Sequence, residues 1–241
     1  MLVIIQARMG STRLPGKVLM NIDGMPSILY QYERLISYLS KDFKIIVATT
    51  TSKKDDILVE VLKKNKIAFF RGSEEDVLQR YVDCAEYFQS ENIIRINADC
   101  PLICPKILEK TSNALMASKD IDYASTILEE TFPLGMHVEA TKLSVLKAIN
   151  KENLTQEERE HVTPYIYNNK HLFNLISVTN KINEKEFRVT VDYQEDLNVI
   201  RAIANNFSKK KFYCNDITKF LKENPKVSRQ NIHLMKSQKL N

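Results

Sequence analysis

Glycine is scarce in this 241-residue chain, with five in all against the roughly 7% of an average protein. Each one therefore has a place to explain. Gly10 and Gly16 share one loop, Gly24 lies in the turn Asp23-Gly24-Met25-Pro26, Gly72 follows Arg71, Gly135 follows Pro133-Leu134, and none interrupts an apparent helix. Cysteine is scarce too. Cys84, Cys100, Cys104 and Cys214 are too few and too uneven for a disulfide framework. Cys100 and Cys104 have a metal-ligand spacing but no second pair and no nearby histidine, so buried thiols are expected. The sequence has no run of about 18 apolar residues, which excludes a helical membrane span, and no basic stretch before its first apolar segment, which argues against a signal peptide; the expected location is cytoplasmic. A net charge of +5 comes without any aromatic–basic repeat. Nucleic acid is thus not indicated, and a cationic site for a small anion explains the surplus as well.

Apolar and charged fractions of 44% and 27% are those of an ordinary globular chain. Short, β-branched apolar runs predict strands at Leu2–Gln6, Lys44–Thr49, Ile67–Phe70 and Ile93–Asn97, then less regularly at Met136–Ala140, Leu172–Val178 and Phe187–Val191. Helical spacing predicts helices at Ser27–Ser40, Asp55–Lys64, Glu74–Gln89, Lys142–Ile149, Gln156–Asn168 and Gln194–Phe207. Strand–helix alternation implies a parallel sheet covered on both faces, with ligands bound beyond the C-terminal strand ends. No repeat, low-complexity segment or Pro/Gly/Ser-rich linker divides the chain, so residues 1–224 read as one domain followed by a basic tail, 225–241, that packs loosely on the body or serves an interface. The run Ser208-Lys209-Lys210-Lys211 reads as a solvated loop between helices.

The most informative segment is Ala7-Arg8-Met9-Gly10-Ser11-Thr12-Arg13-Leu14-Pro15-Gly16-Lys17, which follows the first strand. It reads as a polyphosphate clamp: glycines let backbone N–H groups approach an anion, and Arg forks with a Lys point charge match phosphate oxygens. It is not the P-loop of kinases and ATPases. Five residues separate Gly10 from Gly16, and Val18 stands where a metal-binding hydroxyl belongs.

Two further segments end apolar strands in a carboxylate: Asn97-Ala98-Asp99-Cys100-Pro101-Leu102 and Arg188-Val189-Thr190-Val191-Asp192. Magnesium takes one or two carboxylates together with phosphate oxygens, so Asp99 and Asp192 are candidate ligands. Either could instead cap a helix, before Pro105 and before Gln194. In Arg71-Gly72-Ser73-Glu74-Glu75-Asp76, Ser73 and Asp76 offer a capping box, and on residue type alone Arg71 and Arg80 suit surface ion pairs. Glu139 ends a predicted strand and is a candidate for magnesium or an acceptor hydroxyl. His161 is a candidate for orienting the acceptor or taking its proton, or a satisfied half-buried histidine.

The order Gln6-Ala7-Arg8-x-Gly10-Ser11-Thr12-Arg13-Leu14-Pro15-Gly16-Lys17 resembles the nucleotide loop of the cytidylyltransferases that make CMP-activated sugars, most of all the spore-coat polysaccharide type, a relative of the CMP-sialic-acid and CMP-ketodeoxyoctonate synthetases. Asp99-Cys100-Pro101-Leu102 resembles the Gly-Asp-x-Pro-Leu signature of nucleotidyltransferases, with Ala98 in place of the usual glycine. The stretches Gly72–Tyr81, Pro133–Glu139 and Arg159–Pro164 also match motifs of the group. The resemblance implies a Rossmann-like three-layer α/β/α nucleotidyltransferase (GT-A-like) fold with a mostly parallel mixed sheet, its nucleotide-binding half in residues 1–120 and its acceptor-binding half in 121–224. It implies Mg²⁺ as cofactor on Asp99 and Asp192, and Arg13, Lys17, Asp99 and Asp192 as catalytic residues. Substrate contacts would come from Ala7, Arg8, Gly10, Ser11, Thr12, Arg71, Arg80, Asn97, Ala98, Glu139, His161 and Arg188, with Asn97 at a base-reading position. The implied reaction moves CMP from CTP to a small-molecule acceptor such as a sugar acid and releases pyrophosphate, in a protein that a homodimer would also suit. Another nucleoside triphosphate, a non-sugar phosphate acceptor, or nucleotide binding without catalysis are the alternatives.

Overall fold

The computed structural model describes residues 1–208 and 210–235. The first half alternates as expected: β1 (Leu2–Gln6), a hairpin of β2 (Asn21–Ile22) and β3 (Met25–Pro26), α1 (Ser27–Ile36), β4 (Lys44–Thr50), α2 (Asp56–Lys64), β5 (Phe69–Gly72), α3 (Val77–Tyr87), β6 (Asn92–Asn97) and α4 (Pro105–Met116). The second half holds β7 (Tyr123–Ser125), β8 (Glu139–Lys142), α5 (Leu143–Ile149), α6 (Gln156–His161), α7 (Pro164–Asn168), β9 (Leu175–Ser177), α8 (Gln194–Asn206), α9 (Cys214–Glu223) and α10 (Pro225–Ser228).

One seven-stranded sheet, ordered β5-β4-β1-β6-β8-β7-β9, runs through both halves. β1 pairs in parallel with β4 and β6, β4 with β5, and β7 with β9, whereas β8 is antiparallel to both its neighbours. β1 shows why its sequence is apolar without alternation. Val3 and Ile5 face a core shared with Leu58, Leu108 and Ile200, and Leu2 and Ile4 face a second core with Leu78, Tyr81 and Leu146. Burying each such side chain contributes about 1.5–3 kcal/mol, and placing helices on both faces leaves no polar face to the strand.

Several boundaries differ from the sequence reading, each for a local reason. α2 ends in a turn with Lys66 at φ 56°, where Ile67 N donates to Leu62 O; β5 therefore begins at Phe69, not Ile67. Asp76, not Ser73, caps α3 by accepting from Gln79 N at 2.9 Å, so that helix starts at Val77 rather than Glu74. The single helix expected over Gln156–Asn168 is two, since Val162 has φ 72° and Pro164 starts the second. β8, Glu139–Lys142, begins three residues later than the expected Met136, and the expected strand at Phe187–Val191 is reduced to a lone bridge between Leu134 and Arg188. β7 has no counterpart in the sequence reading, and α4 and α9 supply bounds for the helices expected near Pro105 and after Lys211. Lys209 of the basic run and residues 236–241 of the tail lie outside the described residues. Within the tail, α10 packs beside α8 and α9, and Asn231 is buried.

Gly135 sits where no other residue fits. Its φ is +105°, and a Cβ there would lie 2.6 Å from the backbone of Val189. Gly135→Ala is expected to lower stability by about 1–3 kcal/mol, read from urea unfolding; an unchanged midpoint would contradict this close approach.

Candidate active site

The clamp loop leaves the C-terminal end of β1 and is pinned from beneath. Met9 N donates to Asp55 Oδ1 at 2.7 Å, while Asp55 Oδ2 accepts from Thr49 Oγ1, Thr50 N and Thr50 Oγ1. Asp55 is 2% exposed, so this carboxylate is committed to the loop and to the end of β4. Farther along, Gly16 adopts φ 71° and starts the short 3₁₀ turn Lys17–Leu19, which turns Lys17 inward. Ala7, Arg8, Gly10, Ser11, Thr12, Arg13 and Lys17 then line a cavity of about 270 Å³, together with Asn97, Ala98, Asp99, His161 and Asp192.

Lys17 brings the two aspartates together. Its Nζ donates to Asp99 Oδ2 at 3.1 Å, Asp192 Oδ1 at 2.9 Å and Val191 O at 2.8 Å. Arg13 Nη2 reaches the same Asp192 oxygen at 3.0 Å, and Arg188 Nη2 holds the other at 3.1 Å. Burial opposes the charge on Asp192, but Lys17, Arg13 and Arg188 outweigh it and hold the carboxyl below its ordinary range. Burial likewise opposes the charge on Lys17, and the two carboxylates outweigh it and raise that pKa. Neither aspartate caps a helix. Cys104 is the N-cap of α4, and the first turn of α8 is closed by Asp196, which accepts from Asp192 N and Tyr193 N.

A second cavity of about 300 Å³ adjoins the first, and Arg13, Arg95, Asn97, Asp99, His161 and Asp192 line both. Gly135, His137, Glu139, Thr163, Tyr167 and Thr190 are among the residues that line only the second. Glu139 lines this lobe, but its oxygens are already engaged by Arg95, Thr163 and, at 2.6 Å, the Tyr123 hydroxyl. It therefore fixes Arg95 in the wall between the lobes. Asn97 Oδ1 is buried without a protein partner, and its backbone O is held by Gln31 Nε2 at 2.9 Å.

Three expected contacts lie elsewhere. Arg71 ties Thr50 O and Ser52 O and pairs with Asp56. Arg80 is fully buried and donates to Ser73 O. Arg188, also buried, lies under the site and braces Asp192 against Asp196. The sequence reading missed Arg95, Asp55 and Asn231. A charge inside the apolar run Ile93-Ile94-Arg95-Ile96 was a legible signal. Asn231 Nδ2 donates to Asp196 Oδ1 at 2.8 Å and Arg188 O at 3.1 Å, a contact no local pattern announces.

Among the described residues no group of three or more His, Cys, Asp or Glu side chains is placed to hold a metal, and no helix is long and apolar enough to cross a membrane. Two carboxylates facing one cation beside an anion-shaped loop do suit a hard ion that takes its other ligands from phosphate and water. This is the arrangement of an enzyme that works on a polyphosphate held across the end of an α/β sheet. The chain belongs to the cytidylyltransferase family of nucleotidyltransferases, whose family model matches residues 2–234. It is 35% identical over 208 residues to the spore coat polysaccharide biosynthesis protein SpsF of Bacillus subtilis, covering 84% of this chain and 85% of that one. A solved cytidylyltransferase from Leptospira borgpetersenii superposes with a TM-score of 0.89 at 34% identity, over 94% of this chain and 95% of that one. The CMP:2-keto-3-deoxy-manno-octonic acid synthetase, solved with CTP, shares the fold at a TM-score of 0.66 and 18% identity, over 85% of this chain and 98% of that one.

The electrostatics give a pH test. Because the folded-state pKa of Asp192 is depressed, its ion pairs stabilise the protein above the unfolded carboxylate value of about 3.9 and are lost as pH falls through the folded value. Asp192→Asn is therefore expected to be less stable than wild type at pH 7, with the gap closing in acid below about pH 3.9. A gap independent of pH in urea titrations would contradict the ion-pair account.

Proposed function

We propose that the protein is a magnesium-dependent cytidylyltransferase that moves CMP from CTP to a sugar acid or another surface-polysaccharide precursor and releases pyrophosphate. One observation carries the reading: the two lobes share a wall built from Asp99, Asp192, Arg13 and Asn97, so a triphosphate in the clamp and an acceptor in the second lobe meet at the carboxylates. The relatives' names support a sugar-type acceptor.

An acceptor oxygen attacks the α-phosphorus in line, forming one P–O bond while the bond to the departing pyrophosphate breaks. Lys17, Arg13, Arg8 and the loop amides offset the negative charge on the phosphates and the leaving group. Asp99 and Asp192 would hold a bound magnesium ion, which would supply Lewis-acid charge neutralisation for the phosphates. His137 lines the acceptor lobe, and burial, outweighing Glu130 and Glu139, keeps its pKa below the ordinary imidazole value. Its neutral form is suited to take the acceptor's proton. Asn97 offers both a donor and an acceptor to a pyrimidine edge, and a mismatched base would leave buried polar groups unpaired.

A pyrophosphate-release assay with CTP over a panel of sugar acids tests the reading. CTP is expected to exceed UTP by at least about tenfold in kcat/KM, equal to about 1.4 kcal/mol, with Asn97→Ala narrowing the ratio; equal turnover of UTP or a purine triphosphate would overturn the base assignment. Asp99→Asn and Asp192→Asn are each expected to abolish turnover, with the double variant little worse because the two act as one unit. Substantial activity in either single variant would remove the metal role. Lys17→Ala and Arg13→Ala should weaken CTP binding by about 1.5–3 kcal/mol per lost charged contact, measured by calorimetry; unchanged affinity in both would exclude the clamp.

A further inference from the structure

The position between Asp99 and Asp192 is filled by the chain itself. The Lys17 ammonium donates to both carboxylates and to Val191 O, so all three of its hydrogens are engaged, and its side chain is 12% exposed. Asp192 is further held by Arg13 and Arg188, and Arg188 is paired with Asp196. Among the described residues, three cations, Arg13, Lys17 and Arg188, therefore face three carboxylates, Asp99, Asp192 and Asp196, and these six charges balance.

A bare divalent ion entering this cluster would add two positive charges to it and would have to part the ammonium from both carboxylates. A polyphosphate changes both conditions. Its oxygens give Lys17 and Arg13 new partners beside the loop, and its negative charge exceeds the positive charge of one ion.

We propose that Lys17 is an internal occupant of the divalent-cation position, closing the Asp99–Asp192 pair to free metal until a polyphosphate draws the ammonium away. The inference rests on the reading of those aspartates as metal ligands. Lys17 then has two stations, one on the carboxylates and one on the phosphates. Metal and nucleotide binding are coupled through it, each tightening the other by the same factor.

The test is Mn²⁺ binding to the full chain, followed by the electron paramagnetic resonance of the free ion. Without added nucleotide, Lys17→Met is expected to bind Mn²⁺ at least tenfold more tightly than wild type, and Lys17→Met/Asp99→Asn is expected to lose that gain. With CTP or inorganic tripolyphosphate added, Mn²⁺ binding to wild type should tighten, and by a larger factor than in Lys17→Met. Tripolyphosphate acting where CTP does not would count against the nucleotide assignment and leave the role of Lys17 intact. A folded Lys17→Met that binds Mn²⁺ no better than wild type overturns the proposal, as does wild type binding Mn²⁺ tightly through Asp99 with no polyphosphate present. Should Lys17→Met fail to fold, Lys17→Gln makes the same comparison, and the wild-type measurement decides by itself. If Mn²⁺ binding in the presence of CTP is indifferent to Asp99→Asn, the metal-site reading falls; if it depends on Asp99 while Lys17→Met gains nothing, only the present proposal falls.

Discussion

The contact on which the site depends is the bridge from Lys17 to Asp99 and Asp192, groups 82 and 175 residues away along the chain. It joins the loop after β1, the segment after β6 and the segment before α8 at a single nitrogen. Two carboxylates this close repel each other unless a cation lies between them. The surrounding structure serves that requirement: Asp55 fastens the loop that carries Lys17, and Arg188 with Asp196 fastens the far side of Asp192.

Much of this was legible in the sequence because it is local. The apolar runs of β1, β4 and β6 announce strands buried on both faces, and the turn residues between them place the clamp and Asp99 at one edge. The pairing of Asp99 with Asp192 was expected from the family resemblance, each carboxylate following an apolar run. The loss of Phe187–Val191 as a strand does not disturb it: Val191 N still donates to Asp99 O at 2.8 Å, which sets the two segments side by side without a ladder.

What escaped the sequence depends on contacts between distant segments. Glu139 and Arg95 are paired across β8 and β6, where the register sets them opposite each other, so a carboxylate that looks free in sequence is already engaged. Arg80 looks like an exposed helical cation, yet helix α3 turns it into the protein. Asn231 belongs to a segment that reads as a loose basic tail, and it is 1% exposed beneath the Arg188–Asp196 pair. Each of these contacts joins segments distant in sequence or turns a side chain inward, and neither leaves a periodicity to detect.

The reversed direction of β8 has a consequence for how such a protein diversifies. In a sheet whose strands all run one way, the binding edge is built from the connections that follow the strands. Because β8 is antiparallel to β6, its first residue, Glu139, lies at that edge, and the connection that precedes it supplies Ile127, Leu134, Gly135 and His137 to the second lobe. The clamp draws on none of these four residues. Changes in the chain between β7 and β8 that spare Gly135 therefore reshape the second lobe while the loop after β1 keeps its form, so one connection is a separable module of the binding edge.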